Sequence, residues 1–151
     1  LRLDGVAQDK RIVFIYLDYH KRGDMLSVIR NLKQVPIDVA KFYAAQIVSS
    51  LIYIHSRYLI YRDLKPENIL IADNGYIKIA DFGFVKRLCP WDRTSTFCGT
   101  PEYMAPEIVS NLPYSQAVDW YALGIILYEL IYGRTPFNGG DPMQIFHKIV
   151  T

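Results

Sequence analysis

Residues 61–68 read Tyr-Arg-Asp-Leu-Lys-Pro-Glu-Asn, and residues 81–83 read Asp-Phe-Gly. Two short β-rich runs, 68–72 and 76–79, lie between these motifs and flank the turn residues 73–75, which read Asp-Asn-Gly. An Asn-Gly pair tolerates the positive φ of a tight hairpin turn. The sequence therefore predicts a two-stranded hairpin that joins the two motifs.

Because such a hairpin returns the chain to where it started, we expect Asp63 and Asp81 to meet in space, with Lys65 and Asn68 between them. Oxygen ligands of this kind suit Mg²⁺, which binds a few side chains and completes its shell with water and phosphate. A carboxylate with a neighbouring lysine also suits orienting a hydroxyl while neutralising a phosphoryl group. This is the set of groups that phosphoryl transfer requires.

The flanking sequence predicts further elements from periodicity and from start and stop signals. Residues 82–113 are rich in proline and lack periodicity, which favours an extended irregular loop. The other predicted elements are a buried strand at 11–17, a short helix at 24–31, a longer helix opened by Pro36, an apolar helix at 117–132 stopped by Gly133, and a last helix capped by Asp141 and Pro142.

Composition limits the class of protein. The chain has 151 residues, 51% of them hydrophobic, and a net charge of +2, which excludes a disordered chain and argues against a uniformly basic nucleic-acid binder.

Residues 122–132 are the longest apolar stretch and are too short for a bilayer core of about 30 Å, so we expect no membrane span. Two cysteines without metal or disulfide spacing favour the cytoplasm, with the nucleus as an alternative.

The two motifs and residues 100–107, Thr-Pro-Glu-Tyr-Met-Ala-Pro-Glu, closely resemble the catalytic loop, the Asp-Phe-Gly metal motif and the Ala-Pro-Glu segment of protein kinases. The resemblance covers nearly the whole chain. It implies an α+β, protein-kinase-like fold that is incomplete. In that fold, residues 1–17 are the end of the N-lobe, 18–23 are the hinge, and 24–151 are the mainly helical C-lobe through the activation segment and the helices after it.

The resemblance narrows to the serine/threonine class and to its cyclic-nucleotide-dependent branch. The Tyr-Arg-Asp form of the catalytic loop and residues 96–103 are similar to that branch. Residues 117–120 and 42–48 look most like the cAMP-dependent type, whereas Phe97 and residues 140–143 lean toward the cGMP-dependent type. We favour the cAMP-dependent type and keep the cGMP-dependent type as the alternative.

The resemblance also implies ATP and Mg²⁺ as cofactors and assigns roles to the residues that match. Asp63 would be the catalytic base, Lys65 would contact the transferred phosphate, and Asn68 with Asp81 would hold Mg²⁺. The residues implied to bind the nucleotide or its metal are Leu17, Asp18, His20, Asp24, Glu67, Leu70 and Asp81.

Protein substrates with upstream arginines are implied as well, with a cyclic-nucleotide-binding regulatory subunit as a further partner. Asp24 is shorter than the glutamate that the family usually has there. Thr96 matches an activation-loop phosphorylation site whose phosphate would pair with Arg62 and Lys86. The resemblance implies that the substrate arginines contact the carboxylates of Asp24, Glu67 and Glu129. It also implies that the apolar residue after the target lies in a pocket formed by Phe97, Pro101 and Met104.

A Gly-rich phosphate loop and a strand lysine would precede Arg11 in this family, but the first ten residues contain a single glycine, Gly5. Two hypotheses follow. The chain is a section of an active kinase, or it is a truncated, catalytically silent module that binds kinase partners. The intact Asp63 and Asp81 favour the first, and we expect the 151 residues alone to be inactive.

Overall fold

The structure, a computed structural model, describes residues 1–151 and contains three two-stranded antiparallel sheets and five α-helices. The strands pair as β1–β2, β3–β6 and β4–β5. Short 3₁₀ turns lie at Pro66–Asn68 and Pro101–Tyr103. The elements are β1 (Leu3–Gln8), β2 (Val13–Leu17), α1 (Met25–Leu32), α2 (Ile37–Ser56), β3 (Leu59–Ile60), β4 (Ile69–Ile71), β5 (Ile77–Ile79), β6 (Lys86–Arg87), α3 (Pro106–Val109), α4 (Ala117–Tyr132) and α5 (Pro142–Val150).

The main core lies where α1, α2 and α4 pack together. Met25 of α1, Ile47 and Leu51 of α2, and Ile126 and Leu130 of α4 are fully buried. Burying each such side chain stabilises the fold by about 1.5–3 kcal/mol.

The structure confirms the predicted helices, the hairpin and the end of α4 at Gly133, with boundaries that differ by one or two residues.

Helix α2 is long and apolar enough to cross a membrane by length and composition alone. Its Ile47 and Leu51 pack in the core with α4, and its first turns carry the exposed pair Asp38–Lys41. We therefore assign α2 to the core of the domain.

The strand predicted at 11–17 exists, but the prediction that it is buried is wrong. Ile15 is 62% exposed and Leu17 is 47% exposed. Strand β1, which the sequence analysis missed, is its only pairing partner, and every residue of β2 is exposed. A run of Val, Phe, Ile, Tyr and Leu indicates a strand but does not indicate what covers it.

Residues 82–113 are more ordered than the predicted irregular loop. They contain β6, a 3₁₀ turn and α3, and Thr94 exchanges two backbone hydrogen bonds with Tyr114, at 3.1 and 2.8 Å. Below them lies a second hydrophobic cluster of Ile60, Leu88, Met104, Ala105, Ile108, Tyr114 and Val118.

The ends of α1 and α4 meet at a close backbone contact. Gly133 follows α4 with φ of +71°, and a Cβ atom there would lie 1.9 Å from the carbonyl oxygen of Lys33. The Val35 N–H donates to the carbonyl of Leu130 at 2.8 Å beside this contact. Glycine is required at this position because any side chain would force the two helix ends apart.

Asp119, in the first turn of α4, holds the start of the 61–68 loop. Its Oδ2 accepts the N–H of Tyr61 at 2.9 Å, and its Oδ1 accepts the N–H of Arg62 at 2.8 Å. His55 Nε2 lies 2.7 Å from the same Oδ2, and Asp119 is 1% exposed. Arg62 has φ of +73°, a conformation that a non-glycine residue keeps only when its surroundings enforce it.

We therefore predict that Asp119→Ala lowers the free energy of unfolding by about 3–5 kcal/mol, because one buried and one partly buried N–H group lose their acceptor. Urea titration followed by tryptophan fluorescence measures the change. Asp38→Ala, an exposed aspartate paired only with Lys41, is the matched control and should cost less than about 1 kcal/mol. Equal losses in the two variants would contradict this role of Asp119.

Candidate active site

Four side chains form a compact polar cluster on the 61–68 loop and the segment that faces it. Lys65 Nζ lies 3.0 Å from Asp63 Oδ2 and donates to Thr100 Oγ1 at 2.9 Å. The Thr100 hydroxyl in turn donates to Asp63 Oδ1 at 2.7 Å. Asn68 Nδ2 donates to the backbone oxygen of Asp63 at 2.9 Å and to its Oδ2 at 3.2 Å. Asp63 is thus a buried carboxylate that already accepts a hydroxyl group beside an ammonium group.

The hairpin ties this cluster to Asp81 through the backbone. The Ala80 N–H donates to the carbonyl of Asn68 at 2.8 Å, and the Tyr61 hydroxyl donates to the carbonyl of Ala80. The Tyr61 ring meets the Phe82 ring edge to face, with centroids 5.6 Å apart. The residues on both sides of Asp81 are therefore attached to the 61–68 loop.

The structure confirms only part of the prediction that Asp63 and Asp81 lie close together in space. Asp81 has φ of +54° and an exposed side chain, and its Oδ1 accepts the Gly83 N–H at 3.1 Å. It makes no hydrogen bond to Asp63, Lys65 or Asn68. Burial raises the pKa of Tyr61, and the charges of Asp63 and Asp81 raise it further, because both carboxylates lie near the phenol.

Two side chains at this site, Asn68 and Asp81, have oxygen atoms that are available as ligands for Mg²⁺. The Asn68 amide uses its nitrogen as a donor to Asp63, which leaves its Oδ1 without a protein donor. The Asp81 carboxylate accepts a single N–H and is otherwise open to solvent. One amide oxygen and one carboxylate are a partial shell of the kind that Mg²⁺ completes with water and phosphate oxygens.

The segment 18–24 lies against the hairpin, which brings together Asp24 and Leu70, two of the residues predicted to bind the nucleotide. Asp24 forms a β-bridge with the half-buried Leu70, and the Ile71 N–H donates to the carbonyl of Gly23 at 2.9 Å. Leu17 precedes this segment and offers an open apolar surface.

Asp18 connects three parts of the chain by its side chain. Its Oδ2 accepts Lys78 Nζ of β5 at 2.5 Å, and its Oδ1 accepts the Arg2 N–H at 2.8 Å. The bond from Lys78, with the backbone bond beside it, lowers the pKa of Asp18 to about 2. His20 Nε2 lies 3.2 Å from Asp18 Oδ2 without hydrogen-bond alignment, and the His20 ring is 9% exposed.

The three carboxylates predicted to receive substrate arginines differ in what they already bind. Asp24 Oδ1 caps α1 by accepting the N–H and the hydroxyl of Ser27, both at 2.7 Å. Glu67 is exposed and has no partner. Glu129 is 7% exposed, and its Oε2 accepts the Tyr103 hydroxyl at 2.6 Å.

Glu129 has no lysine, arginine or histidine nitrogen within 4.0 Å. Burial raises its pKa, the Tyr103 hydroxyl opposes the rise, and the nearby charges of Glu67 and Glu102 add to it. Burial and the bond to Glu129 also raise the pKa of Tyr103. A cation that reached Glu129 would therefore find an acidic cluster that the chain itself does not neutralise.

The three residues predicted to form one apolar substrate pocket have different surroundings. Phe97 is 54% exposed and packs edge to face on Phe146 of α5, with centroids 5.7 Å apart. Pro101 is half-buried. Met104 is 2% exposed and belongs to the second hydrophobic cluster, so it offers almost no surface to a ligand.

Thr96 is exposed and is connected to Lys86 through the Thr94 hydroxyl. Its Oγ1 is 3.3 Å from Thr94 Oγ1, which accepts Lys86 Nζ at 3.0 Å. The Tyr114 hydroxyl donates to the Thr96 carbonyl at 2.6 Å. Arg62 donates its Nε to the Phe84 carbonyl, and its Nη1 is buried without a partner.

Sequence reasoning missed four contributors to the site: Asp119, Thr100, and the hydroxyls of Tyr61 and Tyr103. The sequence does indicate a role for Asp119, because a charged residue in the apolar helix 117–132 needs a hydrogen-bond partner when it is buried. The same reasoning applies to Glu129. No local pattern indicates Thr100, whose partner Asp63 is 37 residues away.

Comparison with known proteins agrees with this geometry. A profile of the protein kinase domain matches residues 1–151. The chain is 47% identical over 150 residues to the cAMP-dependent protein kinase type 3 of Saccharomyces cerevisiae. It is 45% identical over 151 residues to the cAMP-dependent protein kinase catalytic subunit of Arthrobotrys oligospora. It is 43% identical over 150 residues to the human cAMP-dependent protein kinase catalytic subunit PRKX.

The alignments cover 99% of this chain in all three cases, but 37%, 29% and 41% of the respective relatives. The chain thus matches the end of the N-lobe, the hinge and the first, mainly helical part of the C-lobe. The profile match over the full chain, together with the catalytic-loop cluster, shows that this chain belongs to the protein kinase family.

Proposed function

We propose that this chain supplies the phosphoacceptor and metal-binding side of a serine/threonine protein kinase of the cAMP-dependent type. The observation that carries the proposal is the contact of Asp63 with a hydroxyl, at 2.7 Å, and with the Lys65 ammonium, at 3.0 Å. A substrate serine or threonine hydroxyl at the place of the Thr100 hydroxyl would meet the same two groups.

The proposed chemistry follows from these contacts. The substrate oxygen forms a bond to the γ-phosphorus of ATP while the bond from that phosphorus to the β–γ bridging oxygen breaks, which releases ADP. Asp63 orients the hydroxyl and accepts its proton, and Lys65 neutralises charge on the transferred group. Mg²⁺, when bound through Asn68 and Asp81, neutralises phosphate charge. In a loose transition state, positioning and charge neutralisation provide most of the catalysis.

The substrate class that we propose is peptides with arginine upstream of the serine or threonine. Glu67, Glu102 and Glu129 form an acidic group that no cation of the chain pairs with, and arginine binds carboxylates by charge-assisted, often bidentate hydrogen bonds. Asp24 uses one oxygen to cap α1, so it contributes less to arginine binding.

The proposal also covers regulation and cellular compartment. We propose control by a cyclic-nucleotide-binding subunit, because the relatives are cAMP-dependent protein kinases. The free cysteines Cys89 and Cys98 support a reducing compartment, which we take to be the cytoplasm.

Asp63→Asn in the full-length protein should lower kcat by about 10²–10⁴ with little change in peptide KM, because the proton acceptor is lost and the binding groups remain. Transfer of radiolabelled γ-phosphate to an Arg-Arg-Ala-Ser-Leu peptide measures the rates. Asp73→Asn, in the exposed hairpin turn, is the control. A wild-type protein that binds this peptide and Mg-ATP without transferring phosphate would show a binding module and contradict the proposal.

Thr96→Ala should lower kcat/KM at least about tenfold, because the Arg62 and Lys86 cations lose a phosphate that could form at least one charge-assisted hydrogen bond. The comparison needs wild-type protein carrying phosphate on Thr96, verified by mass spectrometry. The exposed neighbour Ser95→Ala is the control and should retain activity. Full activity of the Thr96→Ala protein would overturn regulation at this site.

The KM for an arginine peptide should depend on the ionisation of Glu129. Because burial raises the pKa of this carboxyl, Glu129 becomes neutral at a higher pH than an ordinary glutamate, and arginine binding weakens as the pH falls through that value. Steady-state kinetics from acidic to neutral pH measure this dependence. Glu129→Gln should raise KM and flatten the profile; an unchanged profile would contradict the assignment.

A further inference from the structure

Asp18 lies between two parts of the chain that share few polar contacts. Residues 1–17, which contain the β1–β2 sheet, form hydrogen bonds and ion pairs only with one another and with Asp18. Asp18 Oδ1 accepts the N–H of Arg2 at 2.8 Å, and the Asp18 N–H donates to the Arg2 carbonyl at 3.2 Å. Two hydrogen bonds therefore fix Asp18 to the sheet.

The second carboxylate oxygen of Asp18 binds the other part of the chain. Its Oδ2 accepts Lys78 Nζ of β5 at 2.5 Å, whereas Nε2 of His20, 3.2 Å away, makes no hydrogen bond. The pKa of Asp18 is lowered to about 2, so this carboxylate is charged at neutral pH. No other hydrogen bond or ion pair connects residues 1–18 with residues 21–151. The Asp18–Lys78 pair is thus the only polar bond between them.

This ion pair lies beside the surface predicted to bind the adenine base. Lys78 is opposite Leu70 in the register of β4 and β5, and such cross-strand partners share one face of a sheet. In the predicted hinge, the Asp18 carbonyl and the His20 N–H have no hydrogen-bond partner in the chain. Adenine presents an amino donor and a ring-nitrogen acceptor, which match one acceptor and one donor of the backbone.

The predicted hinge is attached to the hairpin at both of its ends. At its far end, the Ile71 N–H donates to the carbonyl of Gly23 at 2.9 Å. At its near end, the bond from Lys78 to Asp18 is the only hydrogen bond to the hairpin. Without Lys78, the position of the free backbone groups relative to Leu70 would be fixed at one end only.

We propose that Lys78 is a positioning residue for the nucleotide, which holds the hinge backbone at a fixed place relative to the hairpin through its ion pair with Asp18. This inference rests on the proposed function and deepens it, since it assigns to Lys78 a part in binding ATP. A hinge that is already held in place loses less freedom when the base binds, which strengthens binding. Lys78 has no hydrogen bond to the polar cluster around Asp63, so the chemical step should not depend on it.

The test measures binding of adenosine to the full-length protein by isothermal titration calorimetry. Adenosine carries the base without charge, so removing a lysine charge leaves its long-range attraction unchanged. Lys78→Gln should raise the Kd of adenosine about two- to fivefold, the effect of a partly exposed ion pair. Lys78→Arg should keep the wild-type affinity, because a guanidinium group can bind the same carboxylate. Lys41→Gln, which removes an exposed lysine paired with Asp38, is the matched control and should change nothing.

A double-mutant cycle separates the ion pair from other effects of either residue. Asp18→Asn keeps an oxygen for the Arg2 N–H and removes the charge that Lys78 binds. In this background, Lys78→Gln should have little further effect on the Kd of adenosine, because the pair is already lost. High salt should reduce the ratio between the Kd values of Lys78→Gln and wild type, because salt screens a partly exposed pair.

Steady-state kinetics with Mg-ATP and the Arg-Arg-Ala-Ser-Leu peptide supply a second measurement. In Lys78→Gln, the KM for ATP should rise by about the same factor as the Kd of adenosine, and kcat should stay unchanged. A general loss of stability would instead lower the fraction of active protein and therefore the apparent kcat. The split between KM and kcat thus distinguishes positioning of the nucleotide from a purely structural role.

Equal adenosine affinity in the wild-type and Lys78→Gln proteins would overturn the inference. A loss that Lys78→Arg does not restore, or that is equally large in the Asp18→Asn background, would also overturn it, because Lys78 would then act without this pair. A wild-type protein that binds adenosine but phosphorylates no peptide would contradict the proposed function alone, and the adenosine comparison would still decide the role of Lys78. A wild-type protein that does not bind adenosine would contradict both.

Discussion

The buried carboxylate of Asp119 is the constraint on which the catalytic region depends. It accepts the N–H groups of two consecutive residues, Tyr61 and Arg62, and thereby fixes the loop that carries Asp63 to the most apolar helix of the core. The left-handed φ of Arg62 turns the chain so that Asp63 points into the cluster with Lys65. A strained backbone at a functional loop persists because the rigid helix below it supplies the acceptors.

From this anchor, short contacts extend to the other parts of the site. The Tyr61 hydroxyl holds the strand that leads to Asp81, and Arg62 donates to the carbonyl of Phe84. Asp63 is connected to Glu129 by way of Thr100 and Tyr103. The residues proposed to bind metal, to receive the regulatory phosphate and to bind substrate thus share one support. The phosphate proposed on Thr96 would, by binding Arg62, act on the same loop that holds the buried carboxylate of Asp63.

The sequence predicted local features well because local chemistry determines them. The stop of α4 at Gly133, the hairpin at Asn74 and the grouping of Asp63, Lys65 and Asn68 follow from residues close together in the chain. Long-range contacts were missed, since the partners Asp119 and Tyr61 are 58 residues apart and no periodicity connects them. The exposure of β2 was missed for a related reason: its composition indicates a strand whether or not another layer covers it.

Amide hydrogen exchange at Tyr61 and Arg62 tests the role of Asp119 most directly, because it reports the two hydrogen bonds individually. The account predicts that both amides exchange only through global unfolding, as slowly as the buried Ile126 in the middle of α4. Trp91, which is 93% exposed, provides the fast reference. Exchange of the Tyr61 and Arg62 amides at a rate near that of Trp91 would show that Asp119 does not hold the loop, and would contradict the account.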